Sequence, residues 1–170
     1  MKKISALLGF VLCGCVGIPK DVTPVDNFAL EKYLGKWYEI ARLDHSFERG
    51  LSHVTAEYSL RKDGDVKVLN RGYSEKDGKW KVAEGRAKFV NQADQGFLKV
   101  SFFGPFYGSY VIFELDHARY QYSLVCGPNK SYLWLLARSP DIDGELKKTL
   151  IGRAKTLGFD TNKLIFVNHR

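Results

Sequence analysis

Few residues in this 170-residue chain could carry covalent or metal chemistry, and none of them forms a known kind of reactive site. His45, His53, His117 and His169 are scattered, and their spacing is not that of zinc ligands. The sequence also contains no nucleophile-elbow, dinucleotide-binding, phosphate-loop or metalloprotease-helix motif. We therefore predict no catalytic residues, no metal ion and no cofactor.

The N-terminus carries the most specific chemical signal. Two lysines precede an apolar run, Ile4–Leu12, whose length of about nine residues is too short for a membrane core that needs roughly 20. Leu12-Cys13-Gly14-Cys15 then resembles the bacterial lipobox, at which a peptidase cuts before a cysteine that becomes lipidated. The pattern predicts a lipoprotein signal peptide over residues 1–14 and lipidation of Cys15. An ordinary signal peptide with incidental cysteines is the alternative.

Processing at this site would change both the charge and the cysteine pairing. Loss of two lysines lowers the formal charge from +7 to +5. Cys13 would be removed and Cys15 acylated, so Cys126 would have no disulfide partner even in an oxidising compartment. No histidine or basic side chain directly beside Cys126 could lower its pKa, and we interpret it as an inert thiol.

Residues 15–27 are predicted to form a lipidated N-terminus and tether, because Gly17, Pro19 and Pro24 interrupt any regular element. A dozen extended residues reach at most about 40 Å. Val16 stands where an inner-membrane retention signal of the enterobacterial type would place Asp. Similarity to those lipoproteins therefore implies a lipid anchor in the bacterial outer membrane, with the body facing the periplasm.

The composition predicts one folded domain over residues 28–170. Hydrophobic residues make up 45% of the chain and aromatics 14%, with only 5 prolines, which excludes disorder and favours strands. No run of Lys and Arg exceeds two residues, and no basic stripe is present, so we predict no nucleic-acid binding. The positive charge favours a mild attraction to anionic membranes.

Eight alternating segments are typical of an all-β fold, and turn residues separate them. The turns at residues 62–65, 76–79, 94–96 and 127–130 suit tight hairpins, which join sequential antiparallel neighbours. The predicted strands are residues 36–43, 53–60, 65–73, 80–90, 96–103, 108–115, 119–126 and 132–138.

One long stretch is predicted to be helical. It begins after Asp143 and ends before Gly158, with apolar residues spaced by three and four positions between them. A helical turn over Leu30–Leu34 precedes the first strand, and a short strand over Lys163–Val167 ends the domain. This order predicts an eight-stranded up-and-down antiparallel barrel with one C-terminal flanking helix. A two-sheet sandwich fits less well, because its crossovers need longer loops.

Three short motifs connect this barrel to a known family. Gly35-Lys36-Trp37-Tyr38 resembles the Gly-x-Trp signature of the lipocalins, Asp116 with Tyr120 resembles their second motif, and Arg138 their third. In that family the Trp plugs the closed end of the calyx and the Arg stacks over it, a cation–π pair of about 0.5 to 2 kcal/mol.

The resemblance is closest to the bacterial outer-membrane lipoprotein lipocalins, which are related to apolipoprotein D. It is carried by residues 37–42, 47–51, 100–106 and 125–128. The resemblance implies a protein that binds fatty acids or lysophospholipids at the outer membrane, for lipid storage, transport or scavenging.

Strand alternation indicates which side chains line the barrel, once Arg138 is taken to point inward onto Trp37. The resulting lining is apolar, with polar groups only at Asn70, Ser123 and the tyrosine hydroxyls, and its small residues leave room. Such an interior suits an acyl chain. The predicted ligand-binding residues are Val54, Ala56, Tyr58, Val66, Val68, Asn70, Ala83, Gly85, Ala87, Phe89, Leu98, Val100, Phe102, Tyr110, Ile112, Ser123, Tyr132, Trp134 and Leu136.

The loop over residues 45–50 is predicted to form a lid at the open end. Phe47 would touch the ligand, and Arg49 would lie near a phosphate or carboxylate. The alternative is a solvated loop with a structural arginine.

Two classes of function follow. The first is an anchored lipid-binding protein without enzymatic activity, which could also form a homodimer. The second is a lipocalin-type isomerase or lipid-modifying enzyme that uses the same calyx. Catalysis would need a titratable group in the pocket with a shifted pKa, and the predicted lining offers none. A purely structural envelope lipoprotein would need a filled interior.

Overall fold

A computed structural model describes residues 16–170 of the chain. The predicted signal peptide and Cys15 lie outside the described residues. The elements, in chain order, are α1 Leu30–Tyr33, β1 Gly35–Arg42, β2 Leu51–Leu60, β3 Val66–Ser74, β4 Lys79–Phe89, β5 Phe97–Phe103, β6 Phe106–Leu115, β7 Tyr122–Cys126, β8 Leu133–Ala137, α2 Gly144–Thr156, a 3₁₀ turn Thr161–Lys163 and β9 Ile165–Phe166.

The strands form a closed antiparallel barrel. Strands β2 to β8 pair in sequence order, and β1 pairs with both β2 and β8, which closes the sheet. The short strand β9 adds to β1 at the end opposite its contact with β2. The eight-stranded up-and-down barrel predicted from the sequence is therefore confirmed, as are the flanking helix and the extra strand.

Most predicted boundaries agree with the structure within two residues, and β7 is the exception. Its predicted start at residue 119 is wrong, because residues 116–121 form a turn. The Tyr120 N–H donates to the Asp116 carbonyl at 2.7 Å, and Tyr120 has a φ of +55°. The Asp116 carboxylate accepts from the backbone N–H groups of Arg119 and Gln121. Asp116 and Tyr120, the second family motif, thus stabilise this turn through these hydrogen bonds.

Helix α2 packs on the outside of the barrel. Asp143 caps it by accepting from the N–H groups of Glu145 and Leu146, both at 3.0 Å. Leu150 and Ala154 are its buried residues, and they join an outer core that includes Leu135. Among residues 16–170, no helix is long and apolar enough to cross a membrane.

The N-terminal segment, which was predicted as an extended tether, contacts the barrel from Gly17 onward. Val22 is buried in the outer core, and the Val25 N–H donates to the Ile112 carbonyl at 2.9 Å. Phe28 then reaches the closed end, where its N–H donates to the Asp94 carbonyl at 2.8 Å. The segment differs from the prediction because its apolar residues gain burial by following the sheet.

One irregularity in β1 decides which side chains enter the barrel. Its pairing with β8 shifts between Glu39 and Ala41, so that Glu39 lies opposite Leu136 and Arg42 lies opposite Trp134. Without this bulge, strict alternation would turn Arg42 outward. The bulge therefore brings the Arg42 guanidinium into the interior beside Glu39, which alternation from Trp37 already turns inward.

Candidate functional site

The closed end of the barrel is sealed by a stacked pair. Trp37 is fully buried, its indole N–H donates to the Tyr33 carbonyl at 2.8 Å, and the Arg138 guanidinium lies 4.0 Å from its ring centre. Arg138 also donates to four backbone carbonyls, including that of Lys36 at 2.9 Å. Gly35 has a φ of +91° and lies against Arg138, so its motif position needs glycine.

Most of the predicted lining residues lie together inside the barrel, in one apolar cluster with Trp37. These are Ala56, Tyr58, Val66, Val68, Ala87, Phe89, Leu98, Val100, Phe102, Tyr110, Ile112, Trp134 and Leu136.

Six predicted lining residues lie elsewhere or have other surroundings. Ala83 is exposed near the open end. Val54 is buried but outside the cluster, beside an irregular stretch of β2. Tyr132 stacks on His45 at the open end, with ring centres 4.5 Å apart. The remaining three are Gly85, which lies under the Phe102 ring, Asn70, whose amide oxygen has no partner, and Ser123, which contacts the Tyr33 hydroxyl.

The expectation that small residues leave room is wrong at Gly85. A Cβ placed on Gly85 would lie 2.8 Å from the Phe102 ring, so this aromatic side chain already occupies the space. Phe102 is a barrel-facing residue, and an acyl chain that passed it would need the ring to turn. The Phe102 ring therefore fills the space that Gly85 was expected to leave open.

A network of hydroxyl groups crosses the interior. The Tyr110 hydroxyl lies 2.8 Å from that of Tyr33 and 2.7 Å from that of Tyr58, and Tyr33 also contacts the Ser123 hydroxyl at 3.1 Å. Burial raises the pKa of Tyr33 to about 12 and holds those of Tyr58 and Tyr110 well above their usual value. All three phenols stay neutral at physiological pH, so the network is polar but uncharged.

Nearer the open end lies a buried charged cluster that the sequence reasoning missed. Arg42 donates to the Glu39 carboxylate at 2.7 Å and to the Glu48 carbonyl at 2.8 Å. The Trp134 indole N–H donates to the Glu48 carboxylate at 2.9 Å. The prediction that only Asn70, Ser123 and tyrosines offer polar groups is therefore wrong.

The two carboxyl groups of this cluster are shifted toward their protonated forms. Burial raises the pKa of Glu39 well above its usual value, and the neighbouring Glu48 raises it further, while Arg42 opposes both effects. Burial also raises the pKa of Glu48, against the hydrogen bond from Trp134 and the charge of Arg42. Both carboxyls are therefore biased toward their protonated forms, and the Arg42 guanidinium, which lies 2.7 Å from the Glu39 carboxylate, opposes this shift.

Three polar atoms in this region are buried without a hydrogen-bond partner: Arg42 Nε, His45 Nε2 and Asn70 Oδ1. Asn70 lies opposite Ala56 on the neighbouring strand, which places it on the inner face. A buried polar group without a partner costs about 1 to 3 kcal/mol. Arg42 Nε–H is thus an unpaired donor, Asn70 Oδ1 an unpaired acceptor, and His45 Nε2 an unpaired ring nitrogen.

The predicted lid divides into an inner and an outer part. His45 is buried between Phe47 and Tyr132, with its ring nearly parallel to both, and burial lowers its pKa. Phe47 and Arg49 are exposed. Arg49 donates to the Asp44 carboxylate at 2.8 Å, which makes it a surface ion pair and favours the structural interpretation of this arginine.

Cys126 lies in the outer core between the sheet and α2, and burial raises its pKa to about 12. Such a thiol is a poor nucleophile. Among residues 16–170, no group of three His, Cys, Asp or Glu side chains could hold a metal ion.

Two clefts lie on the outer surface rather than in the barrel. One has a volume of about 280 Å³ and lies between the C-terminal segment and α2, where Ile40 and His169 contribute to it. The other, of about 370 Å³, is lined by α2 and Phe166. None of the predicted ligand-binding residues lines either cleft.

The barrel, its sealed end and its calyx-like interior define a class of binding protein, and the chain matches the lipocalin-like domain family over residues 28–169. The chain belongs to the lipocalin family. It is 60% identical to the outer membrane lipoprotein Blc of Vibrio cholerae over 171 residues, which covers 100% of both chains.

More distant relatives show the same class. The chain is 50% identical to the outer membrane lipoprotein Blc of Escherichia coli strain K12, which covers 92% of this chain and 88% of the relative. Rat apolipoprotein D is 36% identical over 71% of this chain and 66% of its own length. Insecticyanin from Manduca sexta superposes with a TM-score of 0.70 at 24% identity, over 89% of this chain and 86% of its own.

Proposed function

We propose that the protein is an outer-membrane lipoprotein, anchored through Cys15 and facing the periplasm, that holds a fatty acid or lysophospholipid inside its barrel. Its role would be lipid storage, transport or scavenging. The observation that carries this proposal is the apolar cluster inside a closed barrel, with a buried guanidinium near the open end. Two relatives, at 60% and 50% identity, are named outer membrane lipoproteins, which supports the same location.

The acyl chain would lie against the apolar side chains between the hydroxyl network and the open end. Val100, Leu98 and Trp134 belong to the inner cluster and offer contact surface without charge. Burial of an acyl chain contributes about 0.8 kcal/mol for each CH₂ group. The chain length that fits would then depend on whether Phe102 turns away from Gly85.

The headgroup would lie near Arg42 and Asn70. Arg42 Nε–H is a free donor for a phosphate or carboxylate oxygen, and Asn70 Oδ1 is a free acceptor for a glycerol hydroxyl. A hydrogen bond to a charged group contributes about 1.5 to 3 kcal/mol. Arg42, rather than the surface-paired Arg49, is therefore our candidate for headgroup recognition.

Fluorescence titration tests this function. Oleic acid and an oleoyl lysophosphatidylethanolamine are added to protein that comprises residues 16–170. We expect saturable binding at micromolar concentration with quenching of Trp134, and the Trp134→Phe variant identifies the contribution of that indole. Absence of saturable binding for both lipids would contradict the proposal.

The second candidate is an isomerase or lipid-modifying enzyme, and one observation favours it. The Glu39 and Glu48 carboxyls are buried inside the barrel with raised pKa values, as a general acid–base pair requires. Mass spectrometry of lipids retained by the protein, before and after incubation, tests this candidate. Conversion that is lost in Glu48→Gln would establish the enzyme and replace the carrier.

The homodimer stays a prediction, and sedimentation of the intact lipoprotein in detergent measures it. A lid role for Phe47 also stays a proposal, supported by its stacking on His45 at the open end.

A further inference from the structure

The N-terminal segment follows the outer face of the barrel from the closed end to the open end. At the closed end, the Ala29 N–H donates to the Tyr120 hydroxyl at 3.0 Å. Farther along, Asp21 lies 4.0 Å from Lys130, which belongs to the β7–β8 loop. The loops β1–β2, β3–β4, β5–β6 and β7–β8 share the end opposite α1, so this contact lies at the open end.

The last described residues are fixed at the same end. The Gly17 N–H donates to the Ser109 hydroxyl at 2.7 Å, and the Ser109 hydroxyl donates to the Gly17 carbonyl at 2.6 Å. Ser109 is only three residues from Phe106, where β6 begins. Only two peptide units, at most about 7 Å of chain, separate Gly17 from the predicted lipidation site at position 15. An acyl anchor on Cys15 would therefore leave the protein beside the open end.

The same end carries a group of exposed large apolar side chains. We call Phe47, Trp80, Val82, Phe103 and Phe106 the mouth rim, and all five are exposed. Phe103 and Phe106 face each other across a hairpin whose connecting residues, Gly104 and Pro105, carry no charge.

The closed end has fewer exposed apolar side chains, although the open end also carries ion pairs, Arg49–Asp44 and Lys81–Asp77. Leu60 is its single exposed large apolar side chain among the described residues. The neighbouring β2–β3 turn carries Arg61, Asp63 and Asp65, which are charged. An apolar hairpin can enter the headgroup region of a bilayer, whereas a turn of ion pairs would lose its hydration there.

We propose that the mouth rim rests on the lipid leaflet that holds the acyl groups of Cys15, so that the barrel opens directly onto the membrane surface. The inference rests on the proposed function, because it needs the lipid anchor. A lipid could then enter or leave the calyx without crossing water. The anchor and the rim would act together, since each acyl chain and each inserted aromatic side chain adds to one membrane affinity.

Site-specific fluorescence tests the orientation. The full lipoprotein, purified from its own membrane, carries Phe103→Cys or, as a matched control, Leu60→Cys, at positions whose native side chains are 82% and 60% exposed at opposite ends. Each cysteine is labelled with a polarity-sensitive dye, while the buried Cys126 stays unlabelled. The proteins are placed in vesicles of phosphatidylethanolamine and phosphatidylglycerol, with a nitroxide quencher on some acyl chains or iodide in the water.

We expect the acyl-chain nitroxide to remove most of the emission at position 103 and little at position 60, with the reverse order for iodide. Equal quenching at both positions would overturn the orientation. Protection of position 103 from both quenchers would also overturn it, because a second copy of the protein would then cover the rim.

Vesicle flotation separates failure of the anchor from failure of the orientation. Protein that floats with the vesicles but shows no quenching at position 103 contradicts the orientation alone. Protein that does not float contradicts the anchor, and the orientation fails with it. Lipid titration of residues 16–170 reports on the calyx independently of either result.

Discussion

The two ends of the barrel use an arginine and a tryptophan in different ways. At the closed end, Arg138 lies over Trp37 and finds four carbonyl acceptors. At the open end, Arg42 is more deeply buried, yet its Nε has no partner although its guanidinium pairs with the Glu39 carboxylate. The comparison shows that the arginine of the closed end has its hydrogen bonds satisfied, whereas the open end contains buried polar atoms without partners.

Trp37→Ala should cause the largest loss of stability. It removes a fully buried side chain and leaves a cavity beneath Arg138, which costs about 3 to 5 kcal/mol in the free energy of unfolding. Urea denaturation measures it. A midpoint like that of the unchanged protein would show that the closed end does not depend on this stack.

Arg42→Leu should cost about 3 kcal/mol, because it leaves the buried carboxyls without their balancing charge and the Glu48 carbonyl without a donor. The loss should be smaller than for Trp37→Ala, because the carboxyls can take up protons. Denaturation at pH 5 and pH 8 checks this, and the loss should be greater at pH 8. A loss independent of pH would contradict the charge-balancing role.

Ala56→Trp should block binding while the fold persists. Ala56 lies opposite Trp37 on the inner face, so a second indole there fills the path of an acyl chain. Oleic acid affinity should fall at least about tenfold, which equals about 1.4 kcal/mol, while overpacking costs about 1 to 3 kcal/mol of stability. Unchanged affinity in the titration would show that the ligand does not bind beside Ala56.

Glu39→Gln should alter how stability depends on pH. Because the folded state raises the pKa of Glu39, its stabilising effect is complete below its ordinary value of 4.5 and is lost as the pH rises. The substituted glutamine side chain cannot ionise. As the pH rises, the melting temperature of the variant should therefore increase relative to that of the unchanged protein, by about 2 to 4 °C for each kcal/mol of difference in stability. If the melting temperature of the variant instead falls relative to that of the unchanged protein as the pH rises, Glu39 is ionised and paired with Arg42.

Arg49→Ala should have the smallest effect. Its ion pair with Asp44 is exposed, and such pairs contribute about 0 to 1 kcal/mol. Oleic acid and its neutral monoacylglycerol should keep their affinities. Selective weakening of oleic acid would restore Arg49 as the headgroup residue at the open end.

The sequence was sufficient for the barrel because its signals are local. Strand alternation and hairpin residues predicted every strand. Asp143 and Gly158 indicated where the long helix begins and ends. The predicted start of β7 was wrong because Tyr120 adopts a positive φ within a turn that Asp116 stabilises. Alternation of apolar residues does not reveal such a turn.

The interior was less predictable because it depends on registration and on long-range packing. Glu39 is two residues from Trp37, so alternation alone could have turned it inward. Arg42 could not have been found this way, since its direction depends on the bulge between Glu39 and Ala41. The course of residues 16–27 depends on contacts such as Gly17 with Ser109, which are 92 positions apart.

Photocrosslinking tests the central claim most directly. Protein that comprises residues 16–170 is irradiated with an oleic acid analogue that carries a diazirine on its chain, and the modified peptides are sequenced by mass spectrometry. We predict modification of inner residues such as Val100 and Trp134, which excess unlabelled oleic acid abolishes. Modification instead at Lys147 and Phe166, in the outer clefts, would contradict a lipid site inside the barrel.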